Sequence, residues 1–173
     1  MSVPLVATAS QTVGPFFHLA GHMDLACVAA PNVAGERIRL TFLVVDGDGA
    51  PVPDALIELW QANPAGEYGD PAFGGFGRLS SDQNGGCVFE TVRPGSVEGR
   101  APHINVIMFA RGLLKHLYTR VYFAGDPANE NDAVLKMIPA ERRETVMAQA
   151  AAPDVWNFAI RLCGDGETVF FDL

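Results

Sequence analysis

Ile38-Arg-Leu-Thr-Phe-Leu-Val-Val45 places Ile38, Leu40, Phe42 and Val44 on one face at a spacing of two. That period belongs to a half-buried strand and not to a helix. Asp46-Gly-Asp-Gly49 ends it as a turn; the pattern hints at a calcium loop, but the remaining ligand positions are missing. Ala55–Gln61 reads as the second strand. Short strands flank Asp82-Gln-Asn-Gly-Gly86, the latter being Cys87–Val92, which Pro94-Gly95 terminates. Ile104–Ala110 is nearly continuously apolar, as a strand covered on both faces must be. His116–Phe123 pairs with it across Arg111-Gly112.

Beyond these strands the signals change. Asp126-Pro127 reads as an N-cap followed by proline at the first helical position. Ala140–Ala150 reads as a short helix, and Val155–Leu162 and Thr168–Asp172 as the last strands. The expected fold is all-β, a β-sandwich of mixed strands with long loops and one or two short helices. Residues 1–36, broken by Pro4, Gly14, Pro15, Gly21, Pro31 and Gly35, form an irregular N-terminal arm expected to contribute to a subunit interface. Residues 37–173 form the sandwich domain. Two adjacent phenylalanines in the arm, Phe16 and Phe17, suit packing better than exposure. The loop over 62–77, rich in Gly and Pro, is long enough to suggest function or an interface.

The composition limits the possible partners. The 173 residues fit one domain, and 20 acids against 12 bases leave a net charge of −8. Such a chain lacks the clustered Lys and Arg that nucleic acid or an anionic membrane surface requires. No apolar run reaches the roughly 18 residues of a spanning helix. A mean hydropathy of +0.15 is high for a chain without such a span, so surplus apolar surface is expected against another chain. The three cysteines, Cys27, Cys87 and Cys163, are too scattered for a disulfide scaffold and read as buried free thiols. The N-terminus has no basic, then apolar, leader pattern, and the expected location is cytoplasmic.

The chemistry-bearing inventory is small: tyrosines 68, 118 and 122, and histidines 18, 22, 103 and 116. No nucleophile elbow, zinc-protease, P-loop or dinucleotide motif occurs. His103 and Asn105 open the central apolar strand on one face. Two imidazoles there would form a compact metal pair, whereas an amide is a poor ligand for a transition metal. By spacing alone, a single histidine at a strand start is more often structural.

Leu59-Trp-Gln-Ala-Asn63, Gly66-Glu-Tyr68, Phe73-Gly-Gly-Phe-Gly-Arg78, Thr91-Val-Arg-Pro-Gly95 and Ala101-Pro-His-Ile104 occur in that order. Together they resemble the intradiol ring-cleavage dioxygenases. Ser10-Gln-Thr-Val-Gly-Pro-Phe16 and Gly166-Glu-Thr-Val-Phe-Phe-Asp172 are similar to the non-catalytic alpha subunit of the heteromeric members. The resemblance implies a non-haem Fe(III) held by two tyrosinates and two histidines in catalytic chains. Here those positions are Tyr68, Val97, His103 and Asn105. Val97 offers no donor atom and Asn105 replaces an imidazole, so no metal is expected in this chain.

The resemblance further implies an iron-carrying beta subunit of similar fold, a higher-order oligomer, and a shared site that cleaves protocatechuate with O2 to 3-carboxy-cis,cis-muconate. In it the alpha chain lends Thr12, Gly14 and Pro15 of the arm and Arg111 to the substrate. A guanidinium suits the substrate's carboxylate; read without the resemblance, Arg111 is a solvated turn residue. Two other readings remain: a self-sufficient catechol-type dioxygenase, and a purely structural or binding β-sandwich.

Overall fold

The computed structural model describes residues 25–172. Eight strands follow in chain order: β1 (Arg37–Val45), β2 (Leu56–Gln61), β3 (Phe76–Ser80), β4 (Gly86–Val92), β5 (His103–Phe109), β6 (Leu117–Phe123), β7 (Met147–Ala152) and β8 (Val155–Arg161). The sheet order is β3-β2-β5-β6-β7-β8-β1-β4. It folds into two facing layers, with β7 joining them: β3-β2-β5-β6 on one side and β8-β1-β4 on the other. Pairings are antiparallel except β1 with β8 and β6 with β7, which makes the strands mixed as expected.

The alternation of β1 explains the core. Ile38, Leu40, Phe42 and Val44 are buried and Arg37, Arg39 and Leu43 are exposed. They meet Phe89, Phe158 and Ile160 within their own layer and Ile57, Leu59, Ile104, Val106 and Met108 from the other. Phe42 makes edge contacts with Phe89 and Phe158 at 5.6 and 5.7 Å, the geometry aromatic quadrupoles favour. Gln61, fully buried, ties the layers at one end. Its amide donates to the Val92 carbonyl at 2.9 Å and its Oε1 accepts from Thr91 at 2.9 Å. At the open edges, Leu25 bridges to Arg78 of β3 and Cys27 to Glu90 of β4. The last residues of the arm therefore span the gap between the two edge strands.

Three expectations are corrected. Ala140–Ala150 is not a helix: Ala140–Val146 is a 3-10 turn and Met147–Ala152 is β7. Alanine's helix preference is worth only tenths of a kcal/mol per residue. The unpaired edges of β6 and β8 outweigh it, and β7 bonds to both. Thr168–Asp172 forms no strand. Its polar groups go to scattered partners, with Thr119 donating to the Val169 carbonyl at 2.7 Å and the Phe171 amide donating to Tyr118 O at 2.8 Å. Cys27 and Cys163 are exposed, and only Cys87 is partly buried. All three are free, and burial pushes the Cys87 thiol up to about 12.

Asp126 does cap a 3-10 turn, Pro127–Asn131, by accepting from the Ala128 amide. A short helix, α1 (Ala133–Met137), follows. No helix among the described residues is long and apolar enough to cross a membrane.

Asp132 caps α1 from a fully buried position. Its Oδ1 accepts from the Val134 and Leu135 amides at 2.9 Å and from the Tyr122 hydroxyl at 3.3 Å, and its Oδ2 accepts from the Ala101 amide at 2.9 Å. Asp132→Ala leaves four donors without their acceptor. The loss of a cap and of buried hydrogen bonds should lower stability by about 3 kcal/mol, read as the shift of the urea midpoint at constant slope. Asp132→Asn, which keeps one acceptor oxygen, should lose less. A loss under about 1 kcal/mol for the alanine variant would show that water replaces the carboxylate.

Candidate functional site

The outer face of the β3-β2-β5-β6 layer carries the site. Residues at alternate positions point there: Glu58 and Trp60 of β2, His103, Asn105 and Ile107 of β5, and Tyr118, Arg120 and Tyr122 of β6. The register sets His103 opposite Tyr122, Asn105 opposite both Trp60 and Arg120, and Ile107 opposite Tyr118.

Two loops roof this face. Asn63 organises the first: its Oδ1 accepts from the Ala65 and Glu67 amides at 3.0 Å, and its amide donates to Asp70 at 3.0 Å. That bond, with one from the Ala72 amide, holds the Asp70 carboxyl below its ordinary value. The second loop docks on the first through its backbone, the Gly95 amide donating to Asn63 O at 3.0 Å. The approach leaves no room for side chains. A Cβ at Gly66, whose φ is +84°, would meet the Ser96 carbonyl oxygen, and one at Gly95 would meet that of Pro64. This contact brings Tyr68 and Val97 to one cavity.

The cavity measures about 420 Å³, and Tyr68, Val97, His103 and Asn105 all line it. The four positions singled out in the sequence are thus assembled in space. Asn105 is the hub among them. Its amide donates to the Tyr68 hydroxyl at 2.9 Å and to the Trp60 carbonyl at 3.3 Å, and its Oδ1 accepts from the Tyr118 hydroxyl at 2.6 Å. The Arg120 guanidinium donates to the Tyr118 hydroxyl at 3.2 Å.

The electrostatics keep these groups in their ordinary protonation states near neutral pH. Desolvation raises the Tyr68 phenol above its usual value, against the opposing Asn105 bond. Burial pushes Tyr122 up to about 12. Burial also lowers His103, which keeps its imidazole neutral. Its Nδ1 lies 2.8 Å from the Ala101 carbonyl and therefore carries the proton. Burial works against the Arg120 charge, but its hydrogen bonds to Tyr118 and Tyr122 outweigh that and strengthen it.

This donor set does not fit a ferric ion. Fe(III) needs anionic oxygen donors and imidazole. Here one position is an aliphatic side chain, another is an amide already committed on both sides, and the phenol is held protonated. Among the described residues no three His, Cys, Asp or Glu side chains cluster to hold a metal.

Arg111 stands apart. It occupies the β5–β6 turn, outside the cavity, with its side chain 60% exposed and 3.9 Å from Asp54. Thr12, Gly14 and Pro15 lie outside the described residues. Arg100, Trp60, Phe76, Tyr118 and Arg120 line the same cavity, and the sequence assigned none of them a role in the site. A signal for the last two existed: Tyr118, Arg120 and Tyr122 alternate along one strand and share one face.

The family model described as Dioxygenase matches residues 13–164. The chain is 40% identical over 194 residues to the protocatechuate 3,4-dioxygenase alpha chain of Burkholderia cepacia, covering 98% of each. It is 33% identical over 159 residues to the beta chain of that organism's enzyme, covering 81% of this chain and 66% of that one. Among solved structures it is similar to the dioxygenase domain of a dioxygenase–carbohydrate-binding protein fusion from Streptomyces sp. SirexAA-E. The two share 25% identity and a TM-score of 0.68, with 80% of this chain and 87% of that one covered.

The lowered His103 value carries a pH signature. The unfolded chain binds this proton more readily, so the contribution to stability is complete above the ordinary histidine value of about 6.5 and is lost as pH falls below it. Urea midpoints measured from pH 7.5 to 5.5 should decline, and His103→Phe should flatten the decline. An unchanged slope in the variant would mean that His103 titrates as it does in the unfolded chain.

Proposed function

The chain belongs to the intradiol ring-cleavage dioxygenase family, and on that basis we propose that it is the alpha subunit of a protocatechuate 3,4-dioxygenase that completes the active site of an iron-carrying beta subunit. The observation that carries the reading is the assembled but metal-incompetent quartet Tyr68, Val97, His103 and Asn105. Near-complete alignment with an alpha chain supports the same role. Fe(III) belongs to the beta subunit, where it supplies the ring-cleaving chemistry on protocatechuate with O2, giving 3-carboxy-cis,cis-muconate.

This chain's share is to bind and enclose. Thr12, Gly14 and Pro15 close the substrate pocket from the arm, and Gly14-Pro15 combines a small profile with a fixed φ. Arg111 holds the substrate carboxylate. Its weak, exposed pairing with Asp54 leaves the guanidinium available, and a planar fork suits a carboxylate. Exposed apolar side chains such as Leu43, Val88, Leu114 and Met137 supply surface for the alpha–beta oligomer.

Purification of the chain alone and with its beta partner separates the readings. The chain alone should carry no stoichiometric iron and no activity, and the mixture should carry both. One iron per isolated chain, retained through dialysis, would favour the self-sufficient enzyme. An assembled mixture whose activity equals that of the beta chain alone would favour a structural subunit.

Arg111→Ala in the heteromer should chiefly raise KM for protocatechuate. The loss of one charge-assisted hydrogen bond predicts a fall in kcat/KM of roughly 10- to 150-fold. Catechol, which lacks the carboxylate, should feel the change much less. An equal loss on both substrates would assign Arg111 to assembly instead.

A further inference from the structure

The turn before β2 holds a conformation that most side chains resist. Pro53 and Asp54 form it, and Asp54 has a φ of +62°, one of two non-glycine residues with a positive φ among those described. Glycine adopts that region most easily, and aspartate is tolerated there without being needed. Another residue fixes the backbone. The hydroxyl of Ser81, which is buried, accepts from the Ala55 amide at 2.9 Å and donates to the Val52 carbonyl at 2.8 Å. The Asp54 amide donates to Ser81 O at 3.2 Å. The Asp54 carboxylate takes no part in this closure. A strained residue whose side chain does not maintain the strain is unusual unless that side chain serves elsewhere.

The sheet register supplies the use. β2 and β5 are antiparallel, and Leu56 lies opposite Phe109. Continued two residues beyond that pair, the same register sets Asp54 opposite Arg111. The side chains meet there, Asp54 Oδ2 lying 3.9 Å from Arg111 Nη2, at 45% and 60% exposure. That distance exceeds a hydrogen bond, so no guanidinium donor is consumed. It is still short enough for the charge to bias where a long, flexible stem points. A guanidinium ordered in advance loses less freedom when a carboxylate binds.

We propose that Asp54 is a positioning residue that aims Arg111 at the substrate carboxylate and so sharpens selection of a carboxylated catechol over a neutral one. Asp54 touches no substrate; it acts through Arg111. The inference rests on the reading of the chain as an alpha subunit whose Arg111 serves the shared site. Two effects of the Asp54 charge oppose each other there. It orders the guanidinium, and it repels the arriving anion. The repulsion acts from behind Arg111, through solvent that screens it, whereas the pairing acts at 3.9 Å. Ordering therefore prevails, and removal of the charge weakens substrate binding.

The test uses alpha–beta heteromers of matched iron content. Asparagine keeps the tolerance for a positive φ and removes the charge, so Asp54→Asn should fold and assemble as the wild type does. It should raise KM for protocatechuate roughly two- to fivefold, with a smaller change in kcat, and leave KM for catechol in place. In an Arg111→Ala background the same substitution should change nothing further, because the two residues act as one unit. Asp54→Gly, which relieves the backbone, should match the asparagine variant in KM at an equal or higher urea midpoint. An unchanged or lower KM in Asp54→Asn, with the Arg111→Ala loss still confined to protocatechuate, would overturn the proposal and leave Arg111 its role. So would an Asp54→Asn effect that persists without Arg111, or one that catechol feels equally. An Arg111→Ala loss equal on both substrates would withdraw the substrate-holding role of Arg111, and the role of Asp54 with it.

Discussion

The carboxylate of Asp132 is the constraint on which the site's geometry rests. It is wholly buried, and its two oxygens take donors from three places: the start of α1, the Tyr122 hydroxyl on β6, and the Ala101 amide just before β5. A lone buried charge is expensive, but one met by four hydrogen bonds fixes the elements that supply them. The entry of β5 is thereby held against β6, which decides where His103 and Asn105 stand. The Ala101 carbonyl, part of the same anchored segment, accepts from His103 Nδ1 and sets its tautomer.

From that anchor the outer face of the layer becomes a polar network instead of a metal centre. Asn105 donates and accepts at once, joining Tyr68 to Tyr118, and Arg120 extends the chain through the Tyr118 hydroxyl. An amide can do this because it carries both a donor and an acceptor. Burial, against the pull of the Asn105 bond, keeps the phenol of Tyr68 as a phenol. The lining therefore carries aromatic and cationic side chains and no ligand set for iron.

Arg111 and the cavity lie on different surfaces of the sandwich. Arg111 sits at the β5–β6 turn, beyond the cavity, exposed and loosely paired with Asp54. The cavity lies between loops whose backbones meet at Gly66, Gly95 and Ser96. Changes at one place need not disturb the other, because a rigid two-layer core separates local events at its surfaces.

The sequence by itself determined most of the layers. The period of two in Ile38–Val45, the apolar run of Ile104–Ala110 and the Gly- and Pro-marked turns gave strands within a residue or two of β1, β2, β4, β5 and β6. Ordered motifs also determined the family and the four positions of the quartet. What only the tertiary structure decided were features that depend on distant partners. Met147–Ala152 is a strand because β6 and β8 needed pairing on either side, an effect that outweighs alanine's local preference. Thr168–Asp172 gave up its strand for scattered contacts with Tyr118 and Thr119. The engagement of Asn105 joins residues 37 and 13 positions from it, Tyr68 and Tyr118, and the loops and strands around it bring Trp60, Phe76 and Arg120 to the same face. Local patterning fixes which face a side chain takes, and the packing of strand on strand and loop on loop fixes what it meets there.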